Sequence, residues 1–336
     1  MTTGAGRTPA APWLVWLALL TIYVVWGSTY LAIRVVVDSM PPLLAAGARF
    51  IPAALAVMLW LVLRRGPGGL RITRREAFAT AFVGACLLLG GNGMVSLAER
   101  DVPSGLTAVL VATLPLVLVV MRRALGERPR RLAVFGVLFG FVGVAVLVLP
   151  QGLSGAAPFG SMALLLVSVT SWATGSLASP RIGLPADTFV STSYQMLFGG
   201  LLLSAAGLLL GEGASVDIAA YRPESFLALG YLIVVGSIVA YTAYGFLLQN
   251  APIGRISTYA YVNPVVAVAL GALLLNERLD LSMLLGATIV IVAVAIIVTS
   301  DSRSKRDAAA ADEVEPARAV PSAGQVQPAR GASETA

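Results

Sequence analysis

The polar side chains within the apolar segments of this chain are the residues best placed to do chemistry. A charged group in hydrocarbon is costly, so it normally faces protein or water and has a function or a partner. Arg49 lies inside the second apolar segment, and Glu99 or Asp101, at the end of the third, are its expected partners. This arrangement predicts either a static ion pair or a group that responds to substrate or protons, with Glu99 as the candidate for proton coupling.

Aromatic and amide side chains recur at helical spacing in other apolar segments. Residues four apart share one face of a helix, as Trp26 and Tyr30 do in the first segment and Tyr259 and Asn263 do in the ninth. Such side chains either bond to a neighbouring helix or line a cavity, and the sequence leaves both interpretations open. The candidates for substrate binding are Trp26, Tyr30, Arg49, Asn92, Trp172, Gln195, Tyr241, Tyr244, Tyr259 and Asn263.

Two prolines, Pro115 and Pro264, lie inside apolar segments. Each removes a backbone donor and frees a carbonyl one turn earlier, so each predicts a helix kink. A kink beside Asn263 would offer carbonyls to a polar ligand, and the alternative is that both prolines only shape their helices. Gly136 and Gly140, four residues apart, indicate close helix packing more often than a binding site.

The composition argues against catalysis and against a bound metal. The chain has no histidine, the commonest metal ligand and general base, and its single cysteine, Cys86, excludes an intrachain disulfide. No acidic residue lies in the middle third of an apolar segment, so the sequence supports proton coupling poorly, and facilitated diffusion or exchange is the alternative. A phosphate-binding glycine loop is also missing. We predict no enzyme activity, no cofactor and no metal.

Membrane-spanning helices are the elements that must position these side chains. The 336 residues are 57% hydrophobic and 12% charged, and soluble domains carry about twice that charged fraction. Ten apolar segments approach the roughly 20 residues that a helix needs to cross the hydrocarbon. The fold class is therefore predicted as an all-α integral membrane protein. Its ten transmembrane helices are expected near 13–35, 43–63, 77–98, 103–122, 132–150, 158–179, 187–210, 225–249, 253–275 and 281–299.

Arginine placement predicts the orientation in the membrane. With the N-terminus inside, thirteen loop arginines face the cytoplasm and four face outward, as the positive-inside rule requires. Both termini are then cytoplasmic, residues 1–12 as a short N-terminus and residues 301–336 as a disordered tail. Glu127 and Glu277, each beside an arginine at a helix end, are interpreted as closures of their loops rather than as proton carriers. Because the basic residues sit between apolar segments, the net charge of +6 indicates no nucleic-acid partner.

The two halves of the chain repeat one pattern. Pro115 lies twelve positions after Pro103, and Pro264 lies twelve positions after Pro252. A pattern that recurs half a chain apart indicates an internal duplication. With five helices per unit, the second unit enters the membrane inverted, an arrangement found in secondary transporters with a site near the midplane. The two units are residues 13–150 and residues 158–300.

Several short motifs resemble the drug/metabolite transporter superfamily. They are Trp26-Gly27-Ser28-Thr29-Tyr30, Pro41-Pro42 followed by Arg49-Phe50, Gly93-Met94-Val95 followed by Pro103-Ser104-Gly105, and Tyr259-Ala260-Tyr261-Val262-Asn263-Pro264. In order over about residues 13–300, they are similar to the EamA-type ten-helix exporters, and among these to the branch called YedA-like. The resemblance implies a basket of helices around a central cavity, with the fifth and tenth helices peripheral. It also implies movement of small molecules across the bacterial inner membrane, usually outward.

These observations together predict a secondary transporter of the bacterial inner membrane. It would export small metabolites, such as amino acids, amphiphilic compounds or drugs, by alternating access between the two inverted units. The alternative is an uptake carrier or facilitator for the same class of solute, because direction depends on gradients. The expected partners are the small-molecule substrate, the lipid bilayer and, through Glu99, protons. The protein would act as a monomer or a homodimer.

Overall fold

The computed structural model of the chain describes residues 11–102, 107, 110–127, 130–148, 158–266, 281, 284–297 and 299–300. The regular structure within these residues is entirely helical, and 6 of the described helices are long and apolar enough to cross a membrane. The first eight helices are α1 Pro12–Val37, α2 Pro42–Arg65, α3 Arg74–Ala98, α4 Leu114–Ala124, α5 Arg131–Val148, α6 Phe159–Ala178, α7 Thr188–Leu209 and α8 Pro223–Asn250. The last two are α9, which comprises Ile253–Ile256 and residues 259–266, and α10, Leu284–Ile297.

The long helices α1, α2, α3, α6, α7 and α8 coincide with predicted spans. The predicted spans at 103–122 and 253–275 extend beyond the described residues. Glu277, most of the predicted N-terminus and the predicted tail at 301–336 also lie outside them.

Local sequence explains where several helices begin and end. Proline occupies the first helical position of α1, α2 and α8, where its missing amide is no loss. Thr73 and Glu76 form a reciprocal capping box at the start of α3. Asp187 starts α7, because its Oδ1 accepts from the amides of Phe189 at 2.8 Å and Val190 at 3.2 Å.

The bundle has two ends, named here for an acidic residue at each. At the Glu99 end, Arg34 near the end of α1 donates to the Glu99 carbonyl just after α3, and Ser161 at the start of α6 donates to Asp101 at 2.9 Å. At the Asp187 end, Arg65 at the end of α2 is paired with Asp187. Helix α1 therefore finishes at the end where α6 starts. The corresponding helices of the two halves run in opposite directions, as an odd number of helices per half requires.

A buried glutamate joins α7 to the start of α2 at the Glu99 end. After Gly211 (φ 84°) turns the chain, the two carboxylate oxygens of Glu212 accept from the amides of Leu43 at 3.2 Å and Leu44 at 2.9 Å. These amides have no partner inside their own helix, and the helix dipole favours a negative charge there. Glu212 thus caps a helix that belongs to the other half of the chain.

Helices α3 and α8 both widen to a π-helix near the middle of the membrane. The π segments are Ala85–Gly93 and Leu232–Val239, at corresponding places in the two halves. In α3 the altered backbone presents carbonyls to α6, where Ser171 donates to the Cys86 carbonyl at 2.9 Å and Ser168 donates to the Gly91 carbonyl at 2.8 Å. π-Helical turns often mark functional sites, and both segments border the cavity described below.

Small residues let helices from the two halves approach closely. In α2 and α7, a Cβ on Gly47 would lie 2.1 Å from the Ser204 hydroxyl, and one on Gly200 would lie 2.8 Å from Ile51. In α5, a Cβ on Gly140 would lie 2.9 Å from the Tyr261 ring of α9. The prediction that the glycines of α5 serve close packing is confirmed.

The buried side chains of the described residues form four clusters, and two of them show how the helices are arranged. The large central cluster draws on α1, α2, α3, α6, α7 and α8. A smaller one joins α5 and α10 to the segments before α4 and in α9 through Ala112, Val137, Tyr261 and Val290. Helices α5 and α10 thus pack beside the central bundle, as the resemblance implies.

The outer surface is apolar because it faces lipid rather than water. On α1 alone, Leu20 is 55% and Leu31 is 58% exposed. Trp13, Trp16 and Trp60 are exposed near the Asp187 end, a position that interfacial tryptophans favour in membranes.

Candidate functional site

A cavity lies between the two halves near the middle of the bundle and holds about 80 Å³ of free space. Ligand pockets usually measure roughly 300–1,000 Å³, so a metabolite enters only if the helices move apart. The wall combines aromatic, aliphatic and a few polar side chains. The lining residues used below are Trp26, Tyr30, Arg49, Asn92, Trp172, Gly236, Tyr241, Tyr259 and Asn263.

Four aromatic rings from four helices meet beside the cavity and form what we call the aromatic cluster: Trp26, Trp172, Tyr244 and Tyr259. The Trp26 centroid lies 5.5 Å from that of Trp172 and 4.9 Å from those of both tyrosines. Edge-to-face and tilted pairs at such distances are favourable contacts. The aromatic cluster fills the centre of the bundle on the side of the Asp187 end.

Hydrogen bonds hold the aromatic cluster in place. The Tyr244 hydroxyl accepts from Trp172 Nε1 at 2.9 Å and lies 2.6 Å from the Ser176 hydroxyl. Nearer the Asp187 end, Tyr23 of α1 and Thr258 of α9 are hydrogen-bonded at 2.5 Å. The route from the cavity to the Asp187 end is thus closed by ring packing and by two hydroxyl contacts between helices.

On the other side, the cavity continues toward the Glu99 end. A narrow second cavity of about 10 Å³ shares Ile33, Arg49 and Asn92 with the first and reaches Pro42 at the start of α2. The described residues toward the Glu99 end thus leave a small second space beside Arg49 and Asn92, and the aromatic cluster lies on the opposite side of the cavity.

Arg49 is buried in the cavity wall, with 4% of its surface exposed. Its Nε donates to the Ser237 hydroxyl at 2.8 Å, and its Nη1 has no hydrogen-bond partner. A Cβ on Gly236 would come within 2.9 Å of Nη2, so the guanidinium packs directly on a bare stretch of the π segment of α8. Within the described part of the chain, no carboxylate pairs with Arg49.

The expected pairing of Arg49 with Glu99 or Asp101 is wrong. Asp101 accepts from Ser161, and both carboxylate oxygens of Glu99 are buried without a hydrogen-bond partner. Arg34, an exposed residue near the end of α1, donates to the backbone carbonyl of Glu99 and leaves its carboxylate without a hydrogen-bond partner. Sequence position cannot separate these cases, because the neighbouring helix decides where a side chain points.

The amide residues of the cavity wall differ in how fully they are bonded. The Asn263 amide is assigned with its nitrogen toward the carbonyls of Tyr259 at 3.0 Å and Tyr23 at 3.2 Å, because only this orientation lets it donate to both and join α9 to α1. Asn92 lies beside the cavity with its Oδ1 buried and without a partner. Asn263 is thus partly structural, whereas Asn92 has an open acceptor at the cavity.

Two predicted site residues stand behind the wall rather than in it. Gln195 of α7 accepts from the Tyr241 hydroxyl at 2.9 Å and donates to Ser191 at 2.9 Å. It is buried within the protein and holds Tyr241, which does line the cavity. Tyr244 likewise supports Trp172 without lining the cavity.

The two prolines have unlike surroundings. Pro115 follows a turn at Ala112 and Thr113 that interrupts the helical residues before α4, and Leu114 beside it lines the cavity. Pro264 lies within the helical run 259–266, and the break in α9 comes earlier, at Ser257 and Thr258. A break beside the proline thus occurs in the first half but not in the described part of the second.

Glu127 closes a loop at the Asp187 end, as predicted. Its carboxylate accepts from Arg122 at 2.7 Å and Arg181 at 2.5 Å, which connects α4 to the end of α6. The hydrogen bond from Arg122 holds the pKa of Glu127 below its usual range.

Several residues that line the cavity were not predicted as site residues: Thr29, Phe50, Val111, Ser168 and Gly236. Thr29 lies one residue before Tyr30, and Phe50 follows Arg49. Their position next to a predicted site residue is the sequence feature that could have identified them. Gly236 gave no such signal, because a glycine matters there only through the guanidinium that packs on it.

A polytopic helical membrane protein with a buried cavity between two inverted halves has the architecture of a secondary transporter. The chain belongs to the EamA-like transporter family, which matches residues 12–149 and again residues 160–299. It is therefore a membrane transporter, and the resemblance to the drug/metabolite transporter superfamily is confirmed.

Individual relatives agree with this class. The chain is 40% identical over 281 residues to "Uncharacterized inner membrane transporter YedA" of Escherichia coli K12, across 83% of this chain and 89% of that protein. It is 29% identical to "Probable amino-acid metabolite efflux pump" of the same organism, across 82% and 91% of the two chains. A solved crystal structure shares the fold with a TM-score of 0.71 at 20% identity, covering 87% of this chain and 99% of that one.

Proposed function

We propose that the protein is a secondary transporter of the bacterial inner membrane that exports small metabolites by alternating access. The central cavity is the observation that carries this proposal, because Trp26 and Trp172, at corresponding positions of inverted units, meet at its wall. Two similar units that exchange conformations convert an opening on one side into an opening on the other.

The proposed substrate site is the cavity wall together with its supporting residues. Trp26, Tyr30, Arg49, Asn92 and Tyr259 would contact the solute, and Gln195 and Tyr244 would position their neighbours. The candidate solutes are amino acids, amphiphilic compounds and drugs. One relative is named as an amino-acid metabolite efflux pump, which supports the first group.

The proposed orientation places both termini in the cytoplasm. The arginine asymmetry supports it, because the Glu99 end then faces outward and the arginine-rich Asp187 end faces the cytoplasm. In this orientation the aromatic cluster lies on the cytoplasmic side of the cavity.

Flux through the purified full chain in proteoliposomes tests the proposal. Vesicles loaded with labelled amino acids, amines and aromatic acids should release a subset of them faster than vesicles without protein. Trp172→Ala should reduce that release, and Trp13→Ala, a lipid-facing tryptophan at 64% exposure, should not. If no solute in a broad panel moves faster than in empty vesicles, the proposal is wrong. Movement of the solute against its own gradient when a proton gradient is imposed separates a proton-coupled exporter from a facilitator, which only equilibrates the solute.

A further inference from the structure

Two buried polar atoms in the cavity wall lack hydrogen-bond partners, and one is a donor whereas the other is an acceptor. Arg49 Nη1 is an unsatisfied donor and Asn92 Oδ1 an unsatisfied acceptor, and both residues line the cavity. A polar atom buried without a partner is costly, so it normally has a partner in at least one functional state. A ligand that carries both an acceptor and a donor would satisfy the two atoms together.

The charge of the cavity limits which ligand this is. Among the described residues that line it, Arg49 carries the single charge, and the described wall contains no carboxylate. A planar guanidinium pairs well with a carboxylate, to which it can donate two parallel hydrogen bonds. Of its donors, Nε is engaged by Ser237 and Nη1 is open. The site therefore favours an anion and repels a cation.

The donor that faces Asn92 is a hydroxyl rather than an ammonium. An ammonium next to the carboxylate of a ligand would lie near the Arg49 guanidinium, and the one acid close to the described wall, Glu99 beside Tyr30, does not itself line the cavity. A hydroxyl donates to the Asn92 oxygen without adding charge. The aromatic cluster beside the cavity offers ring faces and edges to an apolar or aromatic body.

We propose that the cavity binds small 2-hydroxy carboxylic acids with an apolar or aromatic body, with the carboxylate on Arg49 and the hydroxyl on Asn92. This assignment rests on the proposed transport function and narrows its substrate to net anions. Amino acids and cationic amphiphiles are then weaker ligands than the matched hydroxy acid.

Binding of four compounds that share a phenyl group tests this assignment on the wild-type protein. The probes are 3-phenyllactate, 3-phenylpropanoate, phenylalanine and phenethylamine, added at pH 7 to the purified full chain while its melting temperature is followed. 3-Phenyllactate should bind most tightly. Loss of the hydroxyl in 3-phenylpropanoate should weaken binding about tenfold, and phenethylamine should give no shift. If phenylalanine or phenethylamine binds as tightly as 3-phenyllactate, the assignment is overturned.

Substitutions at Arg49 and Asn92 test the carboxylate contact and the hydroxyl contact separately. Arg49→Ala should weaken 3-phenyllactate binding by about 10- to 100-fold, and Arg49→Lys should weaken it less. Asn92→Leu should weaken the binding of 3-phenyllactate about tenfold. It should leave the binding of 3-phenylpropanoate unchanged, because that acid lacks the hydroxyl. Arg64→Ala, which removes an exposed arginine from the same helix as Arg49, is the matched control and should change neither affinity. Equal losses for both acids in Asn92→Leu would contradict the hydroxyl contact.

Transport of the same probes separates this inference from the proposed function. Release of 3-phenyllactate from proteoliposomes that exceeds release of phenylalanine and phenethylamine supports the assignment. Release of phenethylamine or phenylalanine without 3-phenyllactate overturns the substrate class and leaves the transporter in place. If no solute of the broad panel moves, both proposals fail.

Discussion

Trp26 of α1 and Trp172 of α6 meet edge to face at the centre of the bundle, with ring centroids 5.5 Å apart. Each belongs to the first helix of its half, and the two helices run in opposite directions. The contact therefore lies close to the axis that relates the halves. In the proposed transport cycle, a solute that passes through the cavity would have to separate the two rings.

The Tyr244 hydroxyl should matter for the closed state of the cavity as well as for stability. Tyr244→Phe keeps the ring in the aromatic cluster and removes the partner of Trp172 Nε1 and Ser176. We expect a loss of stability of about 1–3 kcal/mol and a faster transport cycle or leak, because the closed state is selectively weakened. Melting and solute release measure the two effects. Tyr194→Phe, which removes a bond to the Leu70 carbonyl away from the cavity, is the control. It should lower stability without changing release.

Gly236 should be needed for the position of Arg49. Gly236→Ala would place a Cβ 2.9 Å from Arg49 Nη2 and shift the guanidinium. We expect transport to fall about tenfold, while stability changes by less than about 1 kcal/mol because a flexible side-chain tip can yield. Gly230→Ala in the same helix is the control, since its Cβ would meet no atom within 4 Å. Equal transport by the two variants would rule out this role for Gly236.

Close packing of α5 on α9 and α10 should contribute to stability. Gly140→Ala would bring a Cβ within 2.9 Å of the Tyr261 ring, which its own hydroxyl bond to the Val137 carbonyl at 2.8 Å holds in place. We expect destabilisation by about 1–3 kcal/mol, the usual cost of overpacking. Thermal unfolding in detergent is the measurement. Gly160→Ala, whose Cβ would meet no atom within 4 Å, should leave the melting temperature unchanged.

The loop closure at Glu127 should give a small pH-dependent contribution. The hydrogen bond from Arg122 is the main cause that lowers the pKa of Glu127, so the charged form stabilises the folded state. This contribution is present above the ordinary glutamate pKa of about 4.3 and is lost as the pH falls through the lowered value. Glu127→Gln should therefore melt slightly lower than the wild type at pH 7, by the roughly 0.2–1 kcal/mol typical of exposed ion pairs, and this difference should shrink steadily as the pH falls below the ordinary glutamate pKa. A gap that persists at acid pH would contradict this account.

Cysteine labelling tests the proposed orientation. In a Cys86→Ala background, which removes the single native cysteine, Ala214→Cys at the Glu99 end and Gly183→Cys at the Asp187 end are both exposed positions. A membrane-impermeant maleimide should label the first in intact cells and the second only after the membrane is permeabilised. The reverse pattern would invert the orientation and place the aromatic cluster on the outer side.

The arrangement of the helices follows from the sequence more readily than the details of the site. Segment length and hydrophobicity determine where a helix can span, so α1 and α7 lie close to the predicted 13–35 and 187–210. Helical spacing also predicted Trp26 and Tyr259 as cavity residues, because residues four apart share one face of a helix. Both line the cavity in the structure.

Features that depend on contacts between distant segments could not be predicted from the sequence. The π segments of α3 and α8 have no composition that separates them from α-helix. Arg49 bonds to Ser237 rather than to an acid, because α8 and not the end of α3 lies opposite it. Glu212 reads as an ordinary loop residue, and its role as a cap appears only where the start of α2 lies beside it.

The hydroxyl bonds from α6 to the carbonyls of α3 have a mechanical consequence. Ser168 and Ser171 belong to the second half of the chain and Gly91 and Cys86 to the first, and breaking such bonds where water is scarce is unfavourable. Helices α3 and α6 are therefore expected to travel as one rigid body, as are α2 and α7 with their interlocked glycines. The unit that was duplicated in the gene is then not the unit that moves, since each moving body takes helices from both copies.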